Sequence, residues 1–125
     1  MILFPGDGDT SGPDVGWSYG GFAAFRARLA QAEGFTLSDM WGFGGERPWN
    51  DVSTPLKPLL DRPDDGGGEL SAAECAAMLA RLDAITDEWR RQADDPLLRQ
   101  HAEDAGQLAV VLRRCVEKGV GLLFL

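Results

Sequence analysis

Three stretches of this chain carry residue types at a spacing that could do chemistry. The first is RPDDGGGELSAAEC, residues 62–75. An EF-hand loop takes oxygen ligands at positions one, three and five, turns on a glycine at six, and closes with a bidentate glutamate at twelve. With Glu74 as the twelfth residue, Asp65 stands third, Gly68 sixth, Glu69 offers its carbonyl at seven, and Ser71 stands ninth. Asp65, Glu69, Ser71 and Glu74 are therefore the candidate ligands, and calcium is the ion they would suit. Pro63 and Gly67 occupy the first and fifth positions and supply no side-chain oxygen. The same residues also read as a helix start. Ser71 and Glu74 have the spacing of a capping box, Leu70 can staple onto Cys75, and the acidic run suits the positive end of a helix dipole. We read the stretch as a helix start, with a calcium-responsive loop as the alternative. A second acidic loop, DGDTSG, has Asp7, Asp9 and Ser11 at alternate positions, but Asp14 and Ser18 fall where the later ligands belong; it reads as a polar turn.

The second stretch is Gly16-Trp17-Ser18-Tyr19-Gly20, a G-x-S-x-G match. A hydrolase elbow needs a buried strand before the serine, a helix after it, and an acid and a histidine supplied by a large parallel sheet. A helix does follow, whereas SGPDV precedes and the chain is too short for such a sheet. His101, the one histidine, falls on an apolar helix face as a border residue, and the neighbouring Glu103 and Asp104 point elsewhere. A serine hydrolase using Ser18 and His101 is thus a further alternative, and no enzyme is expected.

The third is WGFGGERPW, residues 41–49. Gly42, Gly44 and Gly45 could cradle a phosphate, yet no strand precedes them as such loops require. Trp41, Phe43, Arg47 and Trp49 also have the composition of interaction hot spots, which favour tryptophan and arginine. These four are the candidate partner-binding residues; the competing reading folds the aromatics inward as core.

The elements that must position these groups are set by periodicity. MILF at the start and VGLLFL at residues 120–125 are short apolar runs that suit buried strands, and their pairing would bring the chain ends together. Residues 5–14 are loop. A helix is predicted over residues 19–33 from Phe22, Phe25, Arg26 and Leu29, capped by Ser18 or Gly20 and stopped by Gly34. Residues 36–50 hold at most a turn of helix and then a glycine-rich aromatic loop. STPLKPLL offers one or two helical turns beginning at Pro55, with Pro58 as a break. Two long helices come next. One runs from Ser71 to about Ala93 with a stripe of Cys75, Met78, Leu79, Leu82, Ile85 and Trp89. The other opens at Asp95-Pro96 and runs to Gly119, striped by Leu97, Leu98, His101, Ala105, Leu108, Leu112, Cys115 and Val116. The fold class is α+β and mostly helical: an antiparallel helix hairpin and an N-terminal helix packed on a small sheet formed by the two chain termini.

At 125 residues this is one domain, residues 1–125, with 44% hydrophobic residues to build a core. Twenty acidic and twelve basic side chains give a formal charge of −8, which opposes a phosphate backbone and argues against nucleic acid as a partner. No apolar run reaches membrane-span length, and MILFPGDGD lacks the basic start of a secretory signal, so a cytoplasmic protein without membrane association is expected. Cys75 and Cys115 lie forty residues apart with no CxxC pair, which suits packed, reduced thiols; a disulfide stays open if their helices face each other. Arginine-rich, lysine-poor composition points to a GC-rich bacterial genome.

WSYGGFAAFRARLAQAEG, then MWGFGG, then LKPLLDRPDDGGGELSAAEC and a terminal GLLFL resemble, in that order, a family of small uncharacterised proteins of actinobacteria and their phages. The family's loop before the capping box runs nearer to histidine, serine, aspartate, cysteine, aspartate, glycine, and this chain departs from it with Pro63 and extra glycine. The resemblance implies no activity. The functional expectation is therefore a non-enzymatic acidic interaction module, an inhibitor or adaptor without a cofactor, whose partner is another, basic protein.

Overall fold

The computed structural model describes residues 1–9, 11–62, 68–92 and 94–125. Its elements run β1 (Ile2–Pro5), β2 (Val15–Gly16), α1 (Tyr19–Ala32), α2 (Lys57–Leu60), β3 (Glu69–Leu70), α3 (Ala72–Arg91), α4 (Pro96–Lys118) and β4 (Leu122–Phe124), with 3₁₀ turns at Leu37–Asp39 and Trp49–Asp51. The architecture is the α+β one expected. No helix among the described residues is long and apolar enough to cross a membrane.

The helix boundaries come from capping chemistry. Ser18 Oγ accepts from Gly21 N–H at the head of α1, and Gly34, at φ +87°, takes the left-handed turn that ends it. Asp95 caps α4 through Leu97 N–H, Pro96 opens it, and Gly119 at φ +65° closes it. The short helix differs from expectation. It starts at Lys57 with Leu56 at its cap, so Pro55 lies ahead of it, and Pro58 sits in its first turn, where a missing N–H costs no helical bond.

The hairpin of α3 and α4 carries most of the core. Met78, Leu82, Ile85 and Trp89 from α3 meet Leu98, Ala105, Leu108 and Leu112 from α4, all buried. Two members of the expected α4 stripe turn outward: Leu97 and Val116 are exposed, while Ala102, Ala109 and Val111 are buried.

The termini do pair, Leu3 opposite Phe124 and Pro5 opposite Leu122, but the sheet has four antiparallel strands in the order β2-β1-β4-β3. Two-residue strands extend it on both sides: Val15 opposes Leu3, and Leu70 opposes Leu122. Alternation sends Leu3, Leu122 and Phe124 inward against the helices. The loop between β1 and β2 is fastened to α4. Arg114 binds Asp7 and Asp9 at 3.2 Å each, and Gln107 donates to the Asp14 carbonyl at 2.9 Å.

Because Leu108 is fully buried in the hairpin, Leu108→Ala is expected to cost about 2–5 kcal/mol of folding stability. The urea midpoint should fall with little change in slope; a loss below ~1 kcal/mol would mean that the seam is loosely packed.

Candidate functional site

The aromatic loop folds back on itself through its backbone. Trp41 N–H donates to Arg47 O at 2.9 Å, Arg47 N–H to Asp39 O at 2.9 Å, and Phe43 and Gly45 N–H both reach Met40 O. Glycine is required at position 45, where a Cβ would overlap the Asp39 backbone, and at Gly42 and Gly44, whose φ angles are +91° and +101°. The Trp41, Phe43, Gly45 and Arg47 N–H groups are thus turned onto the loop's own carbonyls.

The loop divides the four candidate residues. Trp49 is only 8% exposed, stands edge-on to Phe35 and Phe43, and donates its indole N–H to Trp41 O at 3.0 Å. It is a support beneath the loop, as the inward reading of the aromatics has it, and it offers a partner little surface. Phe43 is half-buried, Arg47 is exposed and lies 3.9 Å from Asp51, and Trp41 is 66% exposed. Trp41 thus has both backbone polar groups bonded while its ring faces water. Beside it, Ala27, Gln31, Thr36, Leu37, Ser38 and Phe43 line an open groove of about 310 Å³.

Under the loop lies Arg26, a buried cation on α1. Its guanidinium stacks 4.6 Å from the Phe22 ring centroid and 5.4 Å from that of Phe43, and donates to Arg62 O at 2.8 Å. Arg62 in turn lies 3.9 Å above the Phe124 ring, and Phe124 N–H bonds Gly68 O at 3.1 Å. The chain on either side of residues 63–67 is thereby anchored to α1 and β4.

Asp65, together with Pro63 and Gly67, lies outside the described residues. Of the other candidate calcium ligands, Glu69 sits in β3 opposite Leu123. Ser71 and Glu74 form the capping box: Glu74 N–H donates to Ser71 Oγ at 3.1 Å and Ser71 N–H to Glu74 Oε1 at 2.9 Å. Leu70 and Cys75, the staple pair, are both buried. In the other acidic loop, Asp9 Oδ1 accepts from Ser11 N–H and Oγ, and Asp7 Oδ1 from Asp9 N–H. These bonds, with Arg114 beside them, hold both carboxyls below their ordinary range.

Ser18 is exposed and caps α1, whereas His101 is buried at 6% exposure. No hydrogen bond joins the two among the described residues. A two-residue strand does precede the serine, which SGPDV did not suggest, but it belongs to an antiparallel sheet. His101 is also a correction to the border position expected of it. Its ring packs against Phe25 and Trp89 at about 6 Å, and Nδ1 has no partner among the described residues. Burial lowers its pKa from 6.5, outweighing Asp104; Arg28 lowers it further and Asp95 opposes.

The sign of the resulting pH dependence is fixed. Above 6.5 both folded and unfolded chains carry neutral imidazole; below it the unfolded chain takes up the proton first, so stability falls as pH drops toward the lower folded value. Denaturation at pH ~7.5 and ~5.5 should show wild-type protein losing stability on acidification and His101→Phe losing less; equal losses would remove His101 as the cause. Comparison with family models, with curated proteins and with solved structures gives no match to this chain.

Proposed function

We propose that this protein is a non-enzymatic, acidic interaction module of the cytoplasm, an inhibitor or adaptor that docks onto another, basic protein through its aromatic loop. One observation carries the reading: Trp41 holds a two-thirds exposed indole on a backbone bonded at both its N–H and its carbonyl. An exposed tryptophan contributes nothing to the fold's core, while a rigid one loses little freedom on binding, which is the property of an interface anchor.

The surroundings support the same reading. Arg47 stands on the surface next to it, and the groove beside Phe43 offers a seat for an apolar side chain of the partner. Asp39, Glu46 and Asp51 are exposed around the loop, and the whole chain carries −8. Such a field favours a basic partner by raising the encounter rate more than by deepening the bound state.

The test begins with affinity capture from the native lysate and ends with titration of the purified partner. Trp41→Ala should weaken binding by about thirtyfold or more with the melting temperature unchanged, and added salt should slow association. Tyr19→Ala, which removes an exposed ring from α1, should leave the affinity as it was. A partner bound equally well by Trp41→Ala would contradict the proposal.

A further inference from the structure

A cleft of about 520 Å³, the size of a small-molecule site, runs along α3 beside the last residue of α1. Ala32 and Ala84 keep it open because their side chains are short, and the buried Ile85 and Trp89 form its apolar floor. Arg81 stands toward one end; Glu88, Arg91 and Gln92 stand toward the other.

Each end holds an unused donor. Arg81 Nε donates to the Glu33 carboxylate, a side chain only 8% exposed that does not itself line the cleft. That bond fixes the guanidinium and leaves its two terminal nitrogens, which have no partner among the described residues, as a planar fork. The other donor belongs to Trp89. Trp17 and Trp49 bond their indole N–H groups to Asp104 and to the Trp41 carbonyl, whereas that of Trp89 has no acceptor among the described residues and is not sealed from solvent. A buried indole N–H ordinarily finds a partner. Trp89 is 5% exposed, and the cleft is the open space beside it.

These donors define a ligand by their separation and charge. Arg81 and Trp89 stand eight residues apart on α3, about 12 Å along its axis, so one small anion does not reach both. At the Trp89 end Glu88 is bonded to Arg91 at 3.0 Å and to Gln92 at 2.5 Å, which cancels the positive charge there. We propose that the cleft binds an elongated oxo-carboxylic acid. Its carboxylate sits on the Arg81 fork, its apolar middle lies over Ile85 between Ala32 and Ala84, and its neutral carbonyl oxygen accepts from the Trp89 indole.

The experiment titrates the ¹⁵N-labelled full-length protein with 6-oxoheptanoate at constant ionic strength. Saturable shifts of the Trp89 indole N–H and of backbone amides 81–92 are expected, with a Kd of roughly 1 mM. Two analogues separate the ends: 2-heptanone, which lacks the carboxylate, should bind about tenfold more weakly, and heptanoate, which lacks the carbonyl, should bind without moving the Trp89 indole. Arg81→Lys keeps a cation beside Glu33 but loses the fork; it should weaken 6-oxoheptanoate about tenfold with the melting temperature unchanged, while Trp41→Ala should bind it as wild type does. Absence of saturable shifts in the cleft, equal binding of 2-heptanone, or undiminished binding by Arg81→Lys would overturn the proposal; a Trp89 indole moved equally by heptanoate would overturn the carbonyl's place in it.

Discussion

Strands of two to four residues cannot hold a sheet by their own hydrogen bonds, and the apolar face of the α3–α4 hairpin is what makes this one stable. Leu3, Leu122 and Phe124 reach that face from the sheet, while Leu82, Leu108 and Leu112 form the seam beneath it. The seam joins the two ends of the sequence, because β1 pairs with β4 and each must turn its inner residues toward the same helices. Polar contacts then fix the periphery: Arg114 and Gln107 fasten the loop before β2, and Trp17 donates to Asp104 at 3.1 Å. These partly exposed bonds set position more than they supply stability.

On that base α1 presents Phe22, Phe25 and Leu29 to the core and holds Arg26 beneath the aromatic loop. The loop's shape comes from opposed demands on its residues. Trp49 and Met40 are drawn inward, and the glycines let the backbone pass close enough to Asp39 for the inner bonds to form. The indole of Trp49 then ties down the carbonyl of Trp41. With the backbone committed inward, the Trp41 ring has only the solvent side left. The inward bonding of the loop and the exposure of its tryptophan have one cause.

The long helices are legible in the sequence because their stripes repeat over five or six turns and their ends carry explicit signals, Ser71 with Glu74, Asp95 with Pro96, and Gly119. The terminal strands are legible as short apolar runs. Val15–Gly16 and Glu69–Leu70 are not, since two residues show no alternation and their pairing depends on partners far along the chain. Sequence names the aromatic loop but not its division, because composition does not say which tryptophan a folded backbone turns inward. His101 reads as a border residue because its own helix face says nothing of Phe25 and Trp89 on the helices opposite. Leu97 and Val116 fit the period yet are exposed beside buried neighbours, Leu98 and Cys115, and period alone does not say which of two adjacent residues at the end of a stripe is covered.

The proposed docking through the aromatic loop depends on a rigid backbone that presents a solvent-facing tryptophan. Amide ¹⁵N relaxation across residues 39–49 tests this most directly. Order parameters near ~0.85 at Trp41, Phe43 and Arg47, equal to those of α3, are the predicted result; values below ~0.6 at these amides would show a mobile loop and contradict it.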